Sequence, residues 1–187
     1  VAHTAPDAVV HLAAIAFVGH ADDAAFYAVN VVGSMNLLDA LVALPRKPRR
    51  VLLASSANVY GNCDRSPISE EQAPAPVNHY AMSKLAMEHM ARTCSDSLPL
   101  VLVRPFNYTG PGQAGHFLIP KLVDHFARRA PVVELGNMAV EREYNDVDFV
   151  CQSYLHLLAH GQPGLTYNVC TGHTYSLLDV MARLQRV

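Results

Sequence analysis

Charge is scarce in this sequence. Only 16% of its 187 residues are Asp, Glu, Lys or Arg, against 51% hydrophobic. The formal net charge is −2 with His neutral, which offers no electrostatic footprint for nucleic acid. The densest basic run, Arg46-Lys47-Pro48-Arg49-Arg50, reads as a solvated loop before a strand. Paired cysteines are missing too. Cys63, Cys94, Cys151 and Cys170 form no CxxC pair, and no His cluster completes a zinc pattern. They read as reduced thiols of a cytoplasmic protein. No apolar stretch reaches the roughly 18 residues of a membrane span, and no charged leader followed by an apolar segment opens the chain. What is left is a chain able to bury a core, with neither nucleic acid nor membrane as an expected partner and no metal site.

Short apolar runs alternate with amphipathic ones. Residues 8–12, 50–55, 98–104 and 166–169 read as strands, and Val51-Leu52-Leu53-Ala54 is apolar throughout, as suits a parallel strand covered on both faces. Residues 22–44 carry Phe26, Val29, Val32, Leu37, Leu38 and Leu41 at helical spacing, closed by Pro45 and Pro48. Asn78 is placed to cap a helix over residues 79–94. Residues 61–77 and 107–115 read as loops, 119–129, 149–160 and 176–187 as helices, and 132–135 as a short strand. The alternation predicts an α/β fold with a parallel sheet. Residues 1–106 are expected to form a sheet domain. Residues 107–187 are expected to be mainly substrate-binding, interleaved with returning sheet elements near 146–170.

Three short segments carry chemistry. Tyr80 and Lys84 stand at i and i+4, on one helix face. A phenol ordinarily ionises near pH 10, and a nearby ammonium favours the phenolate, so such a pair can pass a proton to or from a sugar oxygen. Ser55 and Ser56 follow the strand at residues 50–55, where ligands of open α/β sheets bind. A hydroxyl there can hydrogen-bond a reacting carbonyl. His11-Leu12-Ala13-Ala14 ends the first strand with small residues that let a dinucleotide approach the backbone. Each segment alone has a plain structural explanation: a surface helix, a turn, a buried strand end.

Taken together and in order, the segments PDAVVHLAA, AVNVVGSMNLLDA, VLLASSANVYG, YAMSK, VLVRPFNYTGPGQ, LGNMAVEREYNDV and YNVCTG resemble the extended short-chain dehydrogenase/reductase family, its nucleotide-sugar branch. The resemblance implies a Rossmann-like sheet, NAD or NADP as cofactor, and Ser56, Tyr80 and Lys84 as catalytic residues. It implies that Leu12, Ala13, Ala14, Ile15, Asn30, Ser55, Tyr80, Lys84 and Phe106 border the cofactor. It also implies that Ser56, Asn58, Asn107, Lys121, Gly136, Asn137 and Arg142 face the nucleotide-sugar. Family members often pair as homodimers through the helix bearing Tyr80 and the long helix before it, with Met82, Leu85, Met87 and Met90 as candidates for that face.

The stretch from Arg104 to Gln113 looks most like GDP-4-keto-6-deoxy-mannose reductases. Dehydratases of the family carry an acidic residue where this sequence has Ala57 and Asn58, neither of which can act as a general acid or base. The resemblance therefore implies reduction of a GDP-linked 4-keto-6-deoxy sugar, with an NAD-dependent nucleotide-sugar 4-epimerase as the alternative and a 4,6-dehydratase or a non-catalytic sugar-nucleotide binding relative as the less favoured readings. Two departures stand out. Phe149 replaces an expected carboxylate. The family's glycine-rich pyrophosphate loop, which precedes these segments and seats an anion at a helix N-terminus, is not supplied. The expectation is that this is an internal piece of a longer chain, with the first strands upstream of Val1, and that by itself it binds NAD(P) poorly.

Overall fold

The computed structural model describes residues 1, 3–136, 138 and 141–186. In chain order the strands are β1 (Ala8–His11), β2 (Arg50–Ala54), β3 (Leu100–Pro105), β4 (Tyr108–Thr109), β5 (Glu141–Arg142), β6 (Asn145–Asp146), β7 (Thr166–Val169) and β8 (Tyr175–Ser176). The helices are α1 (Asp23–Tyr27), α2 (Ser34–Val42), α3 (His79–Arg92), α4 (Leu118–Ala127), α5 (Val147–His160) and α6 (Leu177–Leu184). They fall into two compact units.

The first unit comprises Val1–Pro105 and Cys151–Val169. Its sheet runs β1-β2-β3-β7 with every pair parallel, in the register Val9↔Val51, Leu52↔Val101 and Val103↔Tyr167. β3 is buried along its whole length and β2 at its three central residues, as apolar strands covered on both faces must be. On one face Leu38, Leu41, Val51, Leu53, Met87, Ala91, Leu100 and Leu102 form a continuous core. That core docks α2 and α3 onto the sheet and so fixes where α3 presents its side chains.

The segment expected as one long helix is continuous from Asp23 to Val42, but a π-helical turn, Ala28–Gly33, separates α1 from α2. Such a turn inserts an extra residue into the helical repeat and recurs at functional sites. Asp22 caps the N-terminus, accepting from the Ala24 N–H at 2.9 Å. By length and composition this 20-residue run could cross a membrane, which corrects the expectation that no stretch is long and apolar enough. Its stripe of Phe26, Asn30, Ser34, Leu38 and Leu41 is buried instead in the first unit, where Leu38 and Leu41 join the core cluster.

The second unit comprises Phe106–Val150 and Cys170–Val187. Its strands are two residues long: β4 pairs parallel with β6, and β5 pairs antiparallel with β8. The Glu143 carboxylate holds this unit's turns together, accepting from the N–H groups of Thr171 (3.0 Å) and Gly172 (2.9 Å) and from Asn145 Nδ2 (3.0 Å). α6 opens with a reciprocal cap between Ser176 and Asp179. Residues 132–135, expected as a strand, are not one. Val132 is 71% exposed, and side chains take the carbonyls a partner strand would need: the His125 ring contacts Val132 O, and Lys121 Nζ donates to Glu134 O at 2.8 Å.

Gly61 closes the turn after β2 with φ +67°, and a Cβ there would lie 1.9 Å from the Ala75 carbonyl oxygen. Ala75 in turn donates its N–H to Val59 O at 2.9 Å. Gly61→Ala should therefore lower the unfolding free energy by about 2 kcal/mol or more. Urea denaturation checks this, and an unchanged midpoint would show that the turn relaxes freely.

Candidate active site

The carboxyl end of β2 is the starting point. The chain leaves the sheet at Ser55, whose N–H still donates to Val103 O at 2.7 Å. Ser56 is buried and extended (φ −159°, ψ 146°), and it caps a short 3-10 turn, Ala57–Tyr60, by accepting from the Asn58 N–H at 3.2 Å. That bond uses one lone pair of the hydroxyl and leaves its proton to be given elsewhere. Ala57 and Asn58 are half-buried beside it.

α3 brings the other candidates. Asn78 caps it, accepting from the Ala81 N–H at 2.8 Å, so Tyr80 lies in the first turn and Lys84 one turn later. Both are buried, and the Tyr80 ring packs tilted against Phe26 with centroids 6.1 Å apart. Lys84 Nζ donates to Ala54 O at 2.8 Å, which ties α3 to β2 two residues before Ser56. Burial pushes the Lys84 ammonium down to about 8, although the Glu88 carboxylate pulls the other way. A displacement of that size makes the buried cation unfavourable by about 3 kcal/mol at neutral pH.

Glu88, one further turn along α3, has a side chain with no exposure, and its partner Arg104 on β3 is 4% exposed. Arg104 Nε donates to Glu88 Oε1 at 2.8 Å and Arg104 Nη2 to Glu88 Oε2 at 2.6 Å. Ser55 Oγ donates to the same Oε1 at 2.5 Å. Arg104 Nη1 continues to the Tyr60 hydroxyl at 3.0 Å, which donates onward to Asn168 Oδ1 at 2.7 Å. Burial opposes the Glu88 charge, but hydrogen bonds from Arg104 and Ser55, with the charges of Arg104 and Arg92, hold its carboxyl below the usual range. It therefore contributes stability at neutral pH that is lost on acidification through that range. Removing one partner of such a buried pair costs about 3–5 kcal/mol.

At the end of β1, Leu12 and Ala13 are exposed and Ala14 and Ile15 half-buried. Asn30, in the π-helical turn, is wholly buried. Its Oδ1 accepts from the Ile15 N–H at 2.9 Å, and its Nδ2 donates to Ile15 O at 3.1 Å and to Ser83 Oγ at 2.9 Å. Asn30 thus fixes the loop from behind and does not present its amide at the surface. Ser55, likewise buried, has committed its hydroxyl to Glu88. Open backbone with small side chains at the end of a parallel strand fits the approach of a dinucleotide. His11 Nε2 lies 2.8 Å from Ser34 Oγ, and Ser34 spends its one proton on Asn30 O at 2.7 Å. With the Ser34 proton on Asn30 O, His11 donates from Nε2. Burial and the Lys84 charge both disfavour a second proton on this ring.

In the second unit Phe106 is half-buried and Asn107 exposed, its carbonyl accepting from the Asn145 N–H at 2.9 Å. Lys121 is exposed and turned onto Glu134 O, Arg142 is exposed with Nη1 on Glu141 O at 2.9 Å, and Gly136 is exposed. Asn137 lies outside the described residues. Sequence reasoning missed Glu88, Arg104, Tyr60 and Glu143. For the ion pair a signal existed: an arginine inside the apolar run of β3 demands a partner, and Glu88 shares the helix face of Lys84. Among the described residues, no group of three or more His, Cys, Asp or Glu could hold a metal ion, and all four cysteines are free.

The model of the NAD dependent epimerase/dehydratase family matches residues 1–170. The chain is 39% identical over 181 residues to GDP-6-deoxy-D-talose 4-dehydrogenase from Aggregatibacter actinomycetemcomitans, covering 97% of this chain and 62% of that protein. It is 38% identical over 190 residues to GDP-6-deoxy-D-mannose reductase from Pseudomonas aeruginosa, covering 96% and 62%. The solved structure of RMD from Pseudomonas aeruginosa complexed with NADPH superposes with a TM-score of 0.90 at 38% identity, covering 95% of this chain and 64% of that one. The chain thus spans about three fifths of the length of these relatives.

The buried Lys84 ammonium yields a test by pH. Its folded pKa lies below the unfolded value of 10.5, so the folded state binds fewer protons between about 8 and 10.5, and stability falls as pH drops through that window. Lys84→Met should be at least as stable as the parent at pH 7, because the lost bond to Ala54 O is worth only about 1 kcal/mol. The gap should close as pH rises towards 10. Urea titrations that find the variant less stable at every pH would refute this.

Proposed function

Because the chain belongs to the NAD dependent epimerase/dehydratase family, we propose that it carries the proton-transfer part of a site that reduces the C4 keto group of a GDP-linked 4-keto-6-deoxy sugar. The observation that carries this reading is the tie between α3 and the end of β2: Lys84 Nζ on Ala54 O, with Tyr80 one turn before it and Ser56 two residues beyond. The names of the two relatives support the same carbon. Both act on GDP-6-deoxy sugars, and talose and mannose differ in configuration only at C4.

In this reading Ser56 donates a hydrogen bond to the keto oxygen, and Tyr80 gives its phenolic proton to the alkoxide that forms there. Lys84, held at Ala54, stabilises the phenolate left behind. The nicotinamide cofactor, when bound, supplies the hydride. Leu12, Ala13, Ala14 and Ile15 would border it, with Asn30 setting the Ile15 backbone and Lys84 in reach of a ribose hydroxyl. In the second unit, Asn107, Lys121 and Arg142 are the side chains we assign to the nucleotide diphosphate, for which charge-assisted bonds are the natural chemistry. Ala57 and Asn58 provide no acid or base for a dehydration. A 4-epimerase would use the same three residues and is the second reading.

We also propose a homodimer through the helical run from Asp23 to Val42 and α3. Val29, Val32 and Met35 recur along the former and are 39–46% exposed, and Met82 on α3 is 42% exposed. Met87 is buried in the core, and Leu85 and Met90 are half-buried, so Met82 alone of the methionines named from sequence offers an open face.

With a GDP-4-keto-6-deoxy sugar, and at NADPH concentrations high enough to offset the weak binding expected of this chain, the protein should consume NADPH stoichiometrically, and Tyr80→Phe should lower kcat by about 100-fold or more. Epimer formation without net cofactor change would replace the reductase reading by the epimerase one, and unchanged turnover in Tyr80→Phe would sink the mechanism. Sedimentation velocity should find a dimer that Val32→Glu converts to monomer; a parent that sediments as a monomer rules the interface out.

A further inference from the structure

α3 grips the end of β2 at two consecutive residues. Lys84 donates to Ala54 O at 2.8 Å, and one helical turn later Glu88 accepts from Ser55 Oγ at 2.5 Å. The next residue in the chain is Ser56. The same carboxylate is held through both oxygens by Arg104, whose remaining nitrogen donates to the Tyr60 hydroxyl at 3.0 Å. Tyr60 ends the 3-10 turn that Ser56 begins. Ser56 is therefore bracketed: Ser55 on one side and Tyr60 on the other are bonded to one carboxylate–guanidinium unit. Well-packed apolar side chains would hold these elements together as firmly as a buried ion pair does. What the charged pair adds is direction, because its bonds are made in only one relative setting of α3 and the β2 turn.

We infer that Glu88 is a positioning residue: through Ser55 and, by way of Arg104, Tyr60, it sets the Ser56 hydroxyl relative to Tyr80 and Lys84. This rests on the functional reading of those three residues. Glu88 itself touches no reacting atom. Misplacement of a reacting group by about 1 Å can cost on the order of 100-fold in rate, so loosening one bracket should cost about 10-fold while leaving substrate affinity in place.

The test uses Ser55→Ala and Tyr60→Phe, which each remove one hydroxyl and keep the ion pair, so that the fold survives. In the purified protein each should lower kcat about 10-fold with KM for the sugar nucleotide and for NADPH within about twofold. Ser55→Ala added to Glu88→Gln should cost almost nothing further, the non-additivity expected of residues that act through one another. Hydrogen exchange of residues 55–61 should quicken about 10-fold in Ser55→Ala while α3 stays protected. The inference is overturned if kcat stays within twofold of the parent, if KM rises in step with the fall in kcat, or if exchange of residues 55–61 is unchanged. Exchange is read without any substrate. If the parent turns over neither a 4-keto sugar nor a 4-epimer, the reaction assignment fails on its own, and the exchange result still decides whether Glu88 holds the turn.

Discussion

A carboxylate that reaches no solvent, gripped by a guanidinium almost as deeply buried, is the constraint on which the first unit turns. Glu88 lies on α3 and Arg104 on β3, and their further partners sit at the end of β2, in the turn after it and on β7. Neither charge tolerates the loss of the other, so helix and strands have one mutual arrangement in which both are satisfied. Everything proposed for Ser56, Tyr80 and Lys84 depends on that arrangement, since the three arrive from two different elements.

The cost of the site is visible in the same place. Lys84 is held as a buried cation against its preference, and His11 on β1 is kept neutral partly by that charge. Groups that would rather change protonation than stay as they are mark positions where function and stability pull apart. The surrounding apolar core of Leu38, Leu41, Leu53, Met87 and Leu102 supplies the stability that lets the sheet carry them.

Much of this was legible in the sequence. Apolar runs located β2, β3 and β7 within two residues of their bounds, Asn78 was readable as a cap, and the spacing of Tyr80 and Lys84 placed both on one helix face. These are local signals, and local physics decides them. Glu88 with Arg104 was not read, because the pair joins residues 16 apart across a helix–strand packing that only the tertiary structure creates. The two-residue strands β4, β5, β6 and β8 are too short to show a period. Val132 to Leu135 has a strand's composition, but a strand needs a partner, and Lys121 and His125 occupy its carbonyls. The π-helical turn escaped because AVNVVG keeps the composition of an ordinary amphipathic helix.

That turn leaves one more mark. His11 gives its proton to Ser34, which gives its own to the Asn30 carbonyl; the Asn30 amide gives to Ser83, which gives to the Tyr80 carbonyl. Both strings run one way and end on the main chain of a helix. The second cannot reverse, because the Asn30 amide nitrogen only donates and a peptide carbonyl has no proton to return; the first keeps this sense while His11 carries its proton on Nε2. The string that ends beneath Tyr80 is thus polarised in a single sense, while the imidazole of His11 sets the sense of the other.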